Sequence, residues 1–246
     1  MKRIFRWVIG LLVCAALVPY PDPSPAQSRQ VLFRESFQNL TDWRPLYFPK
    51  IKKYSVYTSE TKDGRTYLKA ESDDSASALV YKQEYNIYDY PGLVWRWKVE
   101  AVYQKGDARF KEGDDYPLRI YVMFKYDPAK ASSLERIKYG AAKAIYGEYP
   151  PHSSLNYVWS SKVHPEAFLP NPYADQVIMV LLQKGGDRVG QWIDQEVNVL
   201  EDYRRIFKAD PPALVSLAVM NDSDNTGEKS TSYLEFIEAF RPEKNK

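Results

Sequence analysis

Two short stretches of strict alternation constrain this chain more than any other feature. In "LVWRWKVE", residues 93–100, Leu93, Trp95, Trp97 and Val99 are apolar, and Arg96, Lys98 and Glu100 alternate with them. In "LRIYVMFK", residues 118–125, Leu118, Ile120, Val122 and Phe124 form the apolar row, opposite Arg119, Tyr121, Met123 and Lys125. Successive side chains of a strand point to opposite faces, so each stretch predicts a strand with one dry and one wet face. "QVIMVLLQ" (176–183) is apolar on both faces, which predicts a central strand or one covered by a helix. "ALVSLAVM" (213–220) and "SYLEFIEAF" (232–240) supply late strands, and shorter candidates lie at 31–34, 54–58, 66–71, 78–82, 155–160 and 191–197.

Helix is scarce. "SSLERIKYGAAKAIYG" (132–147) opens with Ser132 and Glu135 at capping-box spacing, repeats Leu134, Ile137, Ala141 and Ile145 at helical spacing, and meets Gly147 as a stop. A shorter helix is predicted over "VLEDYRRIF" (199–207), ahead of Pro211 and Pro212. Many strands and one inserted helix predict an all-β fold, a jelly-roll β-sandwich with the layout of galactose-binding and carbohydrate-module domains.

The N-terminal region is predicted to be a cleaved export signal. Lys2, Arg3 and Arg6 precede an unbroken apolar run from Trp7 to Val18, and Ser24 and Ala26 fit cleavage after Ala26. The run is shorter than the ~20 residues that span a membrane. A lipid anchor on Cys14 is the rival reading, against which stands Val13, where a small residue normally precedes the cysteine. Cleavage leaves 220 of the 246 residues, residues 27–246, as one predicted domain. It also removes the only cysteine, so neither disulfides nor thiolate chemistry is expected of the mature chain. Three of the 34 basic and one of the 32 acidic residues go with it, leaving 31 of each. A nucleic-acid partner, which wants a basic excess, is therefore not expected, and the expected location is the periplasm or the cell exterior.

Five segments in order, "LVWRWKV" (93–99), "GDDYPLRIYVMF" (113–124), "LNYVW" (155–159), "EDYRRIF" (201–207) and "NDSDNTG" (221–227), resemble a bacterial family of exported proteins known as domain-of-unknown-function family 3047, DUF3047. The resemblance implies export but no reaction, substrate or catalytic residue. The family form has threonine where this chain has Asn221.

No nucleophile elbow, zincin motif, P-loop or dinucleotide fingerprint occurs, and neither His152 nor His164 has metal-ligand spacing. Asp114 with Asp115, and Glu235 with Glu238, are the paired carboxylates that a carbohydrate hydrolase or lyase would need. The first pair would point apart on an extended strand, and the second lacks the middle acid, which is Phe236.

The polar rows suggest a binding face instead. If the two alternating strands share a sheet, Arg96, Lys98, Arg119 and Tyr121 form a basic patch with Asp114 and Asp115 at its rim, and Trp159 adds an aromatic surface. Arginine reads carboxylates and hydroxyls with a planar fork, and tyrosine offers a stacking face. The expected ligand is polar and glycan-like, with a purely structural ion network or a partner-binding envelope protein as the alternatives. In "NDSDNTGE" (221–228), Asp222, Asp224 and Asn225 could hold calcium, although position 12 of an EF-hand loop would be Tyr233. A series of Asx turns and direct ligand contact are the other readings of that loop.

Overall fold

A computed structural model describes residues 29–146 and 149–243. The predicted signal, its cleavage point, Cys14 and the helix stop at Gly147 lie outside the described residues. In chain order the strands are β1 (Arg29–Glu35), β2 (Trp43–Leu46), β3 (Val56–Lys62), β4 (Arg65–Asp73), β5 (Ala76–Tyr81), β6 (Tyr85–Asn86), β7 (Gly92–Val99), β8 (Arg119–Phe124), β9 (Ser153–Ser160), β10 (Phe168–Asn171), β11 (Ala174–Lys184), β12 (Ile193–Asn198), β13 (Leu214–Asp222) and β14 (Lys229–Pro242). Helix α1 (Ser133–Tyr146) separates β8 from β9, and α2 (Val199–Phe207) separates β12 from β13.

The strands form two sheets packed as a jelly-roll sandwich. The first runs β12-β7-β14-β4-β3, with β1 also pairing β14. The second runs β10-β11-β9-β8-β13-β5-β2, with β6 also pairing β13. The expected strands all appear, and β11 lies between β10 and β9, as its doubly apolar sequence requires.

The predicted dry rows build the core. Leu93, Trp95, Trp97 and Val99 of β7 are wholly buried against Ile120, Val122 and Phe124 of β8 and Leu155, Tyr157 and Trp159 of β9. Trp95 meets Tyr157 at 5.5 Å and Trp97 meets Trp159 at 5.9 Å between ring centroids, which stitches the two sheets together. Each such side chain contributes about 2–3 kcal/mol by leaving water. Trp159 is thus a core residue rather than a ligand contact, and its Nε1 donates to the Gly185 carbonyl at 3.1 Å.

The expected shared sheet does not form. β7 belongs to the first sheet and β8 to the second. Alternation tells which side of a strand is dry but not which layer the strand joins. Two apolar rows of similar size bury each other best face to face, which sends their polar rows in opposite directions. Arg96 and Lys98 therefore lie on one outer face of the sandwich, and Arg119 and Tyr121 on the other.

Helix α1 starts with the predicted capping box. The Glu135 carboxylate accepts from the Ser132 amide at 2.9 Å, and the Glu135 amide donates to the Ser132 hydroxyl at 3.3 Å. Leu134 and Ile137 nevertheless face solvent. No helix among the described residues is long and apolar enough to cross a membrane.

Candidate functional site

β8 and β13 are antiparallel neighbours with Arg119 opposite Met220. That register carries "GDDY", just before β8, alongside "NDSDNTG", at the end of β13. Two polar segments more than a hundred residues apart become one cluster on the outer face of the second sheet. The approach to it is fixed by a tight loop. The Asp107 amide donates to the Gly113 carbonyl at 2.9 Å, and a 3-10 turn over Lys111–Gly113 delivers Asp114. A Cβ on Gly113 would lie 2.5 Å from the Asp107 nitrogen, so only glycine lets this loop close.

Asp115 anchors the second segment. One carboxylate oxygen accepts from the Asn225 amide at 3.3 Å and from Asn225 Nδ2 at 3.0 Å, and the other accepts from the Thr226 amide at 2.6 Å. Gly227, with φ +69°, closes the turn through its amide, which donates to the Ser223 carbonyl at 2.8 Å. Asp222 accepts from the Arg119 guanidinium, and its other oxygen takes a long bond, 3.4 Å, from the Tyr116 amide. Arg119 lies close to two rings, 5.0 Å from the centre of Tyr116 and 5.4 Å from that of Tyr121. Asp114 accepts from Asn171 Nδ2 at 2.8 Å. Asp114, Asp115, Tyr116, Arg119 and Asp222 are all buried. Three of their polar atoms, Asp114 Oδ1, the Tyr116 hydroxyl and Arg119 Nε, make no hydrogen bond. Beside this cluster opens a cleft of about 430 Å³, lined by Lys105, Asp107, Phe110, Lys162, Asn225 and Thr226.

The electrostatics follow from burial. Loss of water raises the carboxyls of Asp114, Asp222 and Asp224 above the ordinary range. Arg119 opposes this for all three, and neighbouring carboxylates add to it. Burial works against the charge on Arg119, but Asp222, Tyr121 and Asp114 outweigh it, so the guanidinium stays firmly protonated. One carboxylate oxygen from each of Asp115, Asp222 and Asp224 lies within 4.8 Å of the others.

Of the residues singled out in the sequence, Asp114, Asp115, Arg119 and Tyr121 come together as expected, and Asp222, Asp224 and Asn225 join them. The Asn225 side-chain oxygen, the atom that would meet a cation, is engaged elsewhere. That oxygen accepts from the Tyr173 hydroxyl at 2.8 Å, while the amide nitrogen holds Asp115. Asn221 turns inward between the sheets, where its amide donates to the Ala70 carbonyl at 3.0 Å and its oxygen accepts from Ser230 at 2.8 Å.

Arg96 and Lys98 are on the opposite surface. Arg96 pairs with Asp194 and with Glu235, the extra residue at a β-bulge opposite β7. Lys98 pairs with Glu100 and lies over the Tyr233 ring at 4.4 Å. Tyr116, Asn171 and Tyr173 were not foreseen. Tyr116 immediately follows the acid pair, and that adjacency was the available signal for it. Nothing local marks Asn171 or Tyr173.

None of the curated proteins matches this chain in sequence. Among solved structures, the family 11 carbohydrate-binding module of Clostridium thermocellum, in complex with a β-1,3-1,4-mixed-linked tetrasaccharide, is similar at 10% identity. The match covers 87% of this chain and 96% of that one, with a TM-score of 0.43. The family GH12 endoglucanase 3 of Trichoderma harzianum is similar at 7% identity, over 82% of this chain and 99% of that one, with a TM-score of 0.38. The xyloglucanase domain of NopAA from Sinorhizobium fredii, in complex with cellobiose, is similar at 7% identity, over 86% and 100%, with a TM-score of 0.39. These are likenesses of chain course at very low identity, and the strand order described above stands without them. The family model for the protein of unknown function DUF3047 matches residues 41–238, most of the sequence and every strand of the cluster, so the chain belongs to the DUF3047 family.

Proposed function

We propose that this protein is exported and binds a polar, glycan-like ligand without transforming it, at the outer face of the second sheet around Arg119 and Tyr121. The observation that carries this reading is the Arg119 environment. A charged guanidinium lies close to two tyrosine rings and is fixed by Asp222, and three buried polar atoms, its own Nε, the Tyr116 hydroxyl and Asp114 Oδ1, make no hydrogen bond. Buried polar groups in native proteins are nearly always paired, so unpaired ones gathered in one place favour a hydroxyl-rich partner. Tyr121 packs against Arg119 and Met220 and is partly exposed, and that exposed part is what a sugar face would meet.

The paired-carboxylate alternative finds its groups engaged elsewhere. Both oxygens of Asp115 hold the turn at Asn225 and Thr226. Glu235 pairs with Arg96 and Arg65, and Glu238 pairs with Arg29 and Arg34.

The test is a glycan array followed by calorimetry on the best oligosaccharide. Tyr121→Ala is expected to weaken binding at least about tenfold, about 1.4 kcal/mol, while the melting temperature stays within about 2 °C. Absence of binding to any neutral or acidic oligosaccharide at millimolar concentration sinks the proposal. So does binding that Tyr121→Ala leaves unchanged.

A further inference from the structure

We infer that Asp115, Asp222 and Asp224 form a site for an oxygen-seeking divalent cation of the calcium type, with Asp114 as the fourth carboxylate drawn to it. The inference stands whatever the organic ligand is. The geometry comes first. Two ligands on opposite sides of a calcium ion, each at about 2.4 Å, are about 4.8 Å apart. The three carboxylates place one oxygen each within 4.8 Å of one another, so a single ion can touch all three without rearrangement of the backbone. The donors are all oxygen, with no imidazole or thiolate among them, which selects a hard cation over zinc or copper.

The arrangement is also held in place. Asp115 is fixed by two backbone amides and the Asn225 side chain, Asp222 ends a central strand, and Asp224 sits in a turn closed by Gly227. The Asp115 oxygen that holds the Thr226 amide accepts only that bond, so one of its two lone pairs is left for a metal.

Asp114 supplies the independent observation. It is 4% exposed, it interacts electrostatically with Asp115, Asp222 and Asp224, and its Oδ1 has no partner. An ionised carboxylate only accepts, so a buried oxygen of this kind needs a donor or a cation. The donors at hand do not balance its charge: Arg119 is committed to Asp222, Asn171 holds the other Asp114 oxygen, and the neighbouring Tyr116 hydroxyl is neutral. Four carboxylates thus face one guanidinium, and a divalent ion offsets the excess.

This also explains why the sequence template fell short. Asp222 and Asp224 have the spacing of a calcium loop, but the missing acid does not come at Tyr233. It comes from Asp115, on the segment beside β13.

The experiment titrates calcium chloride into chelator-stripped protein, with magnesium chloride and with sodium chloride at equal ionic strength alongside. Calcium is expected to raise the melting temperature by about 5 °C at a hundredfold excess over Kd. Asp224→Asn, at a partly buried position, is expected to remove that rise. Terbium(III) luminescence, sensitised by the tyrosines around the cluster, is expected in the native protein and lost in the same variant, and this readout does not depend on stability. The inference is overturned if millimolar calcium gives neither a shift nor heat, if sodium chloride reproduces the shift, or if Asp224→Asn retains it. A larger response to magnesium than to calcium overturns the calcium-type assignment.

Discussion

Asp107 and His164 show how single residues set the response of this fold to acid. Hydrogen bonds from Arg109 hold the Asp107 carboxyl well below the usual carboxylate range, against its burial and with help from Lys162. Burial pushes the His164 imidazole down from its ordinary value, although Asp107 lies 3.7 Å away and pulls it up. In both cases the unfolded chain takes up the proton first. Stability therefore falls as pH drops below about 6.5, where unfolded histidine charges, and falls again below about 4, where unfolded aspartate protonates. His164→Gln is expected to flatten the melting-temperature profile between about pH 6.5 and 5. Asp107→Asn is expected to cost about 2 kcal/mol at pH 7 in a denaturant titration, with the difference starting to shrink only as pH falls below about 4. Arg96 behaves otherwise. Its partner Asp194 is 65% exposed, and its other partner Glu235 keeps Arg65 nearby, so Arg96→Ala is expected to cost about 1 kcal/mol by the same titration. A surface ion network explains Arg96, and a shared pocket with Arg119 does not.

At the scale of elements, helix α1 shows what periodicity leaves out. Its capping box and apolar spacing were legible, yet Leu134 and Ile137 are 77% and 71% exposed. The paired change Leu134→Asp with Ile137→Asp is expected to move the melting temperature by less than about 2 °C, a change that would unfold a helix docked on the core. The strands were read best where alternation runs for six residues or more, as in β7 and β8. β2, β6 and β10 are two to four residues long, and β10 carries Pro170. Segments that short hold too little pattern to separate strand from turn. The candidate site was legible in halves. "GDDY" and "NDSDNTG" each stood out as polar and acidic, but their union depends on β8 and β13 being neighbours in register. A single chain carries no local mark of that pairing, because the hydrogen bonds that make it are the same for any sequence. The misplacement of Arg96 beside Arg119 has the same origin.

For the whole molecule, stability rests on the aromatic seam between the sheets. Trp97 is wholly buried and touches both Trp95 and Trp159, so Trp97→Ala is expected to cost about 3–5 kcal/mol in a urea titration, with loss of cooperativity across both layers. One topological fact shapes how that state is reached. β13 pairs with β8 and β5, and β14 pairs with β7, β4 and β1, so the two strands that follow all the others described are the keystones of their respective layers. A nascent chain ending before Leu214 could pair β7 with β12, β3 with β4, β2 with β5 and β8 through β9 and β11 to β10, but nothing would join these pieces within either layer. Closure must wait for partners far apart in the chain, which makes folding slow and the half-made polypeptide long-lived. Such a delay fits the export proposed above, in which a chain is threaded through a narrow channel before it locks.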